Sequence, residues 1–156
     1  MKMVFLRHGH AQDIFTAKVS QDSARPLSDM GKKEVFLAAD KIKRFGFKPH
    51  IIVSSPYLRA MTTAKIAADT LGCKIIKECE ELTDSDIEKA LNAIFNFGEG
   101  KDILAVGHQP LIGLIVSFLC DKENIAFPTS GFAILNISDK NDKKGELLAF
   151  GSGGDY

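Results

Sequence analysis

Short apolar runs alternate along this chain with longer stretches whose apolar positions recur at helical spacing, a pattern that predicts crossover helices covering a mostly parallel sheet. Met3 to Leu6 reads as a first buried strand and Arg7-His8-Gly9-His10 as the loop leaving it. From Ser28 to Phe45, Val35, Ala38, Ala39, Ile42 and Phe45 share a helical face, and Gly46 is placed to stop the helix. Ile51 to Val53 is a second strand, after which Ser54-Ser55-Pro56 offers the hydroxyls and proline that start a helix reaching about Leu71. A short strand at Lys74 to Lys77 leads into an acidic loop. The helix after it, from Asp84 and capped by Asp84 or Ser85, puts Ile87, Leu91, Ile94 and Phe95 on one face. Ile103 to Val106 is the next strand, Gly107-His108-Gln109-Pro110 its exit loop, and Leu111 to Cys120 an apolar helix. Phe132 to Ile137 and Glu146 to Phe150 close the pattern as a short hairpin at the sheet edge. The expected fold is α/β in three layers, a mostly parallel central sheet with helices on both faces. It is a single domain over residues 1–150 with a frayed tail at 151–156.

Composition narrows the function more than the fold. At 156 residues one domain and one site are the default, and 45% apolar with 26% charged residues excludes disorder, collagen and coiled coil. Lys plus Arg and Asp plus Glu balance at 20 each, so no global field recruits nucleic acid or an anionic membrane, and an anion site must be local. Cys73, Cys79 and Cys120 are odd in number and lack a CxxC pair, which suits a reducing compartment and small, buried or half-buried side chains. The apolar run at the N-terminus is too short for a signal peptide, and no stretch approaches the ~18 residues of a membrane span. A cytoplasmic monomer is the expectation.

The polar residues that break the apolar pattern fall at particular places. Arg7 and His8, then Ser54, Ser55 and Arg59, then His108 each follow the end of a predicted buried strand. Parallel strands bring those ends to one edge, where open α/β sheets bind ligands. Two arginines and two histidines there make a compact cationic cleft, and a guanidinium fork matches two phosphate oxygens better than a lysine does. A neutral imidazole can attack phosphorus and carry the group as phosphohistidine, with arginines balancing the oxygens' charge in place of a metal. Taken singly, each residue has a plainer reading: a satisfied loop histidine, a surface ion-pair arginine, a solvated helix face. Convergence at one sheet edge is what raises the chemical reading above these.

Leu6-Arg7-His8-Gly9-His10-Ala11 resembles the signature of the histidine phosphatase, or phosphoglycerate mutase-like, superfamily. Three further blocks, Ser23-Ala24-Arg25-Pro26-Leu27-Ser28 with Gly31, Ser54-Ser55-Pro56-Tyr57-Leu58-Arg59-Ala60 with Thr63-Ala64, and Val106-Gly107-His108-Gln109-Pro110-Leu111, are similar in order and separation to its SixA branch of phosphohistidine phosphatases. The resemblance implies a phosphoglycerate mutase-like fold, a reaction without cofactor or metal, and His8 as phosphoryl-accepting nucleophile. It further implies that Arg7 and Arg59 hold phosphate oxygens, that His108 donates to the transferring group, and that Gly9 allows close backbone approach. Arg25 is either a further anion contact or an anchor for its loop. Glu81, within Cys79-Glu80-Glu81-Leu82-Thr83-Asp84, resembles the acid of other members and is the candidate proton donor; its plainer reading is a surface carboxylate.

The implied substrate is a phosphohistidine-bearing protein or a small phosphorylated compound. Gln109 stands where the acid-phosphatase branch has Asp, which counts against an efficient general phosphomonoesterase, the main alternative. A non-catalytic phosphate- or phosphopeptide-binding module is a reading of another class, against which His8 argues. A metal hydrolase built on His8, His10 and Asp13 lacks further ligands, since only His50 and His108 remain.

Overall fold

The computed structural model describes residues 1–123, 125–139, 141 and 143–154. The apolar runs become β1 (Lys2–Arg7), β2 (Ile51–Ser54), β3 (Ile76–Glu78) and β4 (Ile103–Gly107), followed by the hairpin β5 (Phe132–Asp139) and β6 (Lys144–Gly151). Helix-period stretches become α2 (Asp29–Phe45), α3 (Leu58–Leu71), α4 (Ile87–Gly98) and α5 (Leu111–Cys120); a single-turn α1 (Ile14–Ala17) lies outside the sequence expectation. The strands form one sheet in the order β3-β2-β4-β1-β5-β6. The first four are parallel, while β5 joins β1 antiparallel and carries β6 at the edge.

Side chains alternate across this sheet, so each buried strand serves two cores. Met3, Phe5, Val53 and Ala105 pack with α4 and α5 on one face; Val4, Leu6, Ile52 and Leu104 pack with α2 and α3 on the other. That arrangement makes the three layers, each fully buried Leu or Ile contributing about 1.5–3 kcal/mol.

Caps explain most helix boundaries. The Ser28 hydroxyl accepts the Gly31 N–H at 3.0 Å, and Gly46 closes α2 in the left-handed region at φ 98°. Two expectations shift. Helix α4 is capped by Asp86, which accepts from the Lys89 N–H at 2.8 Å, because Glu80–Leu82 form a separate 3₁₀ turn and the Ser85 hydroxyl donates to the Glu81 carbonyl at 2.8 Å. Helix α3 begins at Leu58 with no side-chain cap, the Ser55 hydroxyl being engaged elsewhere.

Part of the stretch expected as a frayed tail makes defined contacts. Lys41 Nζ donates to the Ser152 carbonyl at 2.7 Å, the Gly153 N–H donates to Ser130 Oγ at 3.3 Å, and Gly153 packs against the Glu34 main chain where a Cβ would collide. Residues 151–154 are therefore docked, and 155–156 lie outside the described residues. The hairpin is longer than expected, at eight residues a strand. Registers pairing Arg7 with Gly107 and Ser54 with Val106 bring the C-terminal ends of β1, β2 and β4 to one level.

Candidate active site

The ladder that builds β1 continues past its end. Arg7 N–H donates to the Gly131 carbonyl at 2.9 Å and His8 N–H to the Gly107 carbonyl at 3.2 Å, while the His8 carbonyl accepts from Ser130 N–H at 3.1 Å. These bonds pin His8, only 8% exposed, between the loop after β4 and the turn before β5. Its Nδ1 lies 2.8 Å from the Gly9 carbonyl. A carbonyl only accepts, so Nδ1 carries the hydrogen and Nε2 presents a lone pair. Burial, opposed in part by the Gly9 bond and reinforced by nearby His108, Arg59 and Arg7, lowers the His8 pKa to about 3. The ring is neutral at physiological pH.

His108 enters from the loop after β4, its ring centroid 5.0 Å from that of His8. Its Nε2 is 2.8 Å from Ser55 Oγ, on the loop after β2. Burial first, then Arg59 and Arg7 acting against Asp22, lowers its pKa to about 4. Arg59, near the start of α3 and 7% exposed, donates from Nη1 to the Asp22 carbonyl at 2.8 Å and from Nη2 to Asp22 Oδ2 at 3.0 Å. Its Nε sits 3.4 Å from His8 Nε2, and its guanidinium lies 5.0 Å from the Tyr57 ring centroid. Arg7 Nη1 donates to the Phe127 carbonyl at 2.8 Å.

Arg7, His8, Arg25, Arg59 and His108 thus line one cleft of about 420 Å³. Three expected residues are placed differently from expectation or more narrowly. Arg25 lines the cleft but is tied to its loop, Nε donating to the Gln12 carbonyl at 2.7 Å and Nη1 to Asp22 Oδ1 at 3.0 Å. Gly9 is not among the lining residues: its N–H donates to Thr63 Oγ1 at 3.2 Å, and a Cβ there would meet Val35 Cγ2 at 2.6 Å and the Gly31 carbonyl at 2.8 Å. Its missing side chain lets α2 seat against the strand exit. Glu81 is also outside the lining, its Oε2 accepting from Cys79 Sγ at 3.5 Å; from that loop it is Thr83 that reaches the cleft. Burial, with Glu81 alongside, raises the Cys79 thiol to about 11.

The carboxylate that does line the cleft is Asp22, missed in the sequence because it stands in a polar stretch without periodicity. The spacing to Arg25, three residues on, is the signal that was available, since a 3₁₀ turn over Asp22–Ala24 puts the two side chains together. The Arg25 hydrogen bond first, then Arg59, holds its carboxyl below the usual range, so Asp22 is ionised. Tyr57, Gln109 and Thr129 complete the wall. His10 reaches the cleft with its Nδ1 2.8 Å from Ser28 Oγ, and among the described residues no three His, Cys, Asp or Glu side chains are grouped to hold a metal ion. Three guanidiniums, an imidazole nitrogen bearing a lone pair and a second neutral imidazole in one cleft are a constellation suited to phosphoryl transfer.

Residues 3–88, more than half the chain, match the family model of the histidine phosphatase superfamily, branch 1. The chain belongs to the histidine phosphatase superfamily. Within it, this chain is 29% identical over 148 residues to the phosphohistidine phosphatase SixA of Escherichia coli K12, covering 91% of this chain and 89% of that protein. The structure of the protein histidine phosphatase SixA complexed with tungstate superposes with a TM-score of 0.86 at 29% identity, over 98% of this chain and 97% of that one. A crystal structure from Agrobacterium tumefaciens that carries the SixA name gives 0.82 at 26% identity, covering 98% of both chains. The phosphoglycerate mutase-like α/β fold expected from the sequence is the fold observed, and this member of the superfamily is a phosphatase.

Proposed function

We propose that this phosphatase hydrolyses phosphohistidine on a protein, without a metal, through a phosphohistidine intermediate on His8. The observation carrying the reading is the state of His8: its Nδ1 hydrogen is taken by the Gly9 carbonyl, so Nε2 bears the lone pair, which accepts a long 3.4 Å hydrogen bond from Arg59 Nε in the absence of substrate, with His108 alongside. In the first step the substrate's imidazole, protonated by solvent on its other ring nitrogen, leaves as a neutral ring with the electron pair of its P–N bond while Nε2 forms the new bond to phosphorus. In the second, a water oxygen attacks phosphorus and gives a proton back to solvent, the P–Nε2 bond breaks with its electron pair returning to Nε2, and His8 is again neutral. Guanidinium donors from Arg7 and Arg59 match the three oxygens while charge moves across them. His108 supplies a neutral donor.

The leaving group supports the substrate class. Imidazole has a conjugate-acid pKa of about 6.5, so it departs as a neutral base, whereas an alkoxide needs a committed acid. Asp22, the carboxylate in the cleft, is ionised by two arginines, and Glu81 is turned to Cys79. A site so equipped favours the easy leaving group. Likeness over 91% of the chain to a phosphohistidine phosphatase points the same way.

The test is a side-by-side assay with a phosphohistidine protein, an aryl phosphate and a glycerol or sugar phosphate, run with strong chelator present. The expected order of kcat/KM is as written, with acid-labile phosphate trapped on His8. A sugar phosphate as best substrate, label on another residue, or activity abolished by the chelator refutes the reading.

A further inference from the structure

The paired serines after β2 have separate tasks. Ser54 Oγ donates to the Ser55 carbonyl at 2.9 Å and is spent locally. Ser55 is fully buried, with its N–H on the Val106 carbonyl at 3.0 Å, so its hydroxyl sits at a fixed point of the sheet edge. Around that hydroxyl stand the Tyr57 N–H at 3.2 Å, Thr83 Oγ1 at 3.2 Å and His108 Nε2 at 2.8 Å. A hydroxyl has one hydrogen and two lone pairs. The Tyr57 N–H takes one lone pair, so Ser55 donates to one of the other two neighbours and accepts from the other.

We propose that Ser55 is a positioning residue for His108: its hydroxyl donates to Nε2, Thr83 donates to Ser55, and the His108 hydrogen is thereby fixed on Nδ1, the ring nitrogen left for the phosphoryl oxygens. The inference rests on the functional reading above, because it says which form of His108 that site needs. With the hydrogen bonds reversed, Nε2 would carry the hydrogen and Nδ1 would turn a lone pair toward oxygens already bearing negative charge, an arrangement that repels where donation is required. His108 is neutral in the resting protein, so it has one hydrogen to place, and the partner of its other nitrogen decides where. Every position on the Ser55 hydroxyl is used, leaving no buried orphan.

The tautomer can be read without turnover. Two-bond ¹H–¹⁵N correlation spectra of histidine-labelled protein at pH 7, phosphate-free, with His108 assigned by comparison with His108→Gln, are expected to show His108 wholly as the Nδ1–H form. In Ser55→Ala it is expected to become a mixture, with kcat on phosphohistidine protein falling about 10- to 100-fold at nearly unchanged KM, as for loss of a partner that orients a reacting group. Thr83→Val, at a half-buried site, should shift the tautomer less and lower kcat by less than about tenfold. Wild-type His108 carrying its hydrogen on Nε2 overturns the proposal, as does a Ser55→Ala protein with an unchanged tautomer and kcat within twofold. Should Ser55→Ala not fold, the wild-type tautomer and Thr83→Val decide. Failure of the phosphatase reading looks different: His8→Ala would keep its turnover whatever the tautomer of His108.

Discussion

At the floor of the cleft, His8 is held by main-chain bonds on both sides, to Gly107 and from Ser130, and is 8% exposed. In the wall, between residues 11 and 25, main-chain bonds close local turns, such as Ala17 N–H to Asp13 and Arg25 N–H to Asp22, and those that reach outside the segment lie at its base, Gln12 N–H to the Pro26 carbonyl and, just beyond, Ser28 N–H to the His10 carbonyl. The upper wall meets the floor through the Arg59 guanidinium on Asp22, whose side chain is 52% exposed, and nearby Phe15 is 92% exposed. The main chain of His8 is therefore fixed by the sheet ladder, whereas the upper wall is fastened to the floor by side chains that can yield. Arg59 belongs to both regions: it neighbours His8 Nε2 and it carries the wall.

The largest effect should come from the floor. His8→Ala is expected to lower kcat by a factor on the order of 10⁴ or more while Tm changes little, measured by single-turnover assay and thermal melting. Comparable activity in the folded variant breaks the comparison at its foundation.

Arg59→Lys should cost on the order of 2 to 4 kcal/mol of transition-state stabilisation, since one flexible ammonium replaces a fork. Because Arg59 also holds the wall, limited proteolysis within residues 11–25 should speed up in the same variant. An enzyme within twofold of wild type would place Arg59 outside the chemistry.

Asp22→Asn separates the two roles further. It removes an ionised carboxylate from the cleft, so inorganic phosphate or tungstate should inhibit roughly 3- to 10-fold more strongly, while kcat falls as Arg59 loses its anchor. A loss as large as that of His8→Ala would make the wall part of the reacting machinery.

Acidification acts on the floor through its histidines. Both folded pKa values, about 3 for His8 and about 4 for His108, lie below the ordinary 6.5, so the unfolded chain binds more protons than the folded one in between. Stability should therefore fall as pH drops from about 7 toward 4, and His8→Gln should flatten that slope in urea melts. The free enzyme's kcat/KM should stay level through pH 6 and decline only below about 5, where a conventional histidine would already have titrated.

Glu81→Gln should do least. With its carboxylate on Cys79 and outside the cleft, activity toward all three substrate classes should stay within about twofold, the size of an ordinary surface change. A selective loss on the alkyl ester would return Glu81 to the role of acid.

Sequence by itself was sufficient for the strands, the long helices and the gathering of four residues in one cleft, for one reason: buried strands read as apolar runs, so Arg7, His8, Arg59 and His108 stood out after the ends of those runs. The helix start after Ser54-Ser55-Pro56 was legible to within two residues, but the use of the Ser55 hydroxyl was not, because its partners Thr83 and His108 come from other strand exits. Gly9 was visible as a glycine, while what it makes room for, Val35 and Gly31 of α2, depends on how that helix lies across the sheet. Asp22 was passed over and Glu81 singled out for the same reason. Both are carboxylates in polar loops, equal in local pattern, and only the packing of the loops decided that Asp22 meets two guanidiniums across the cleft while Glu81 faces a buried thiol. Periodicity records which face of an element is buried; which distant side chains share a hydrogen bond is settled when the elements close on one another.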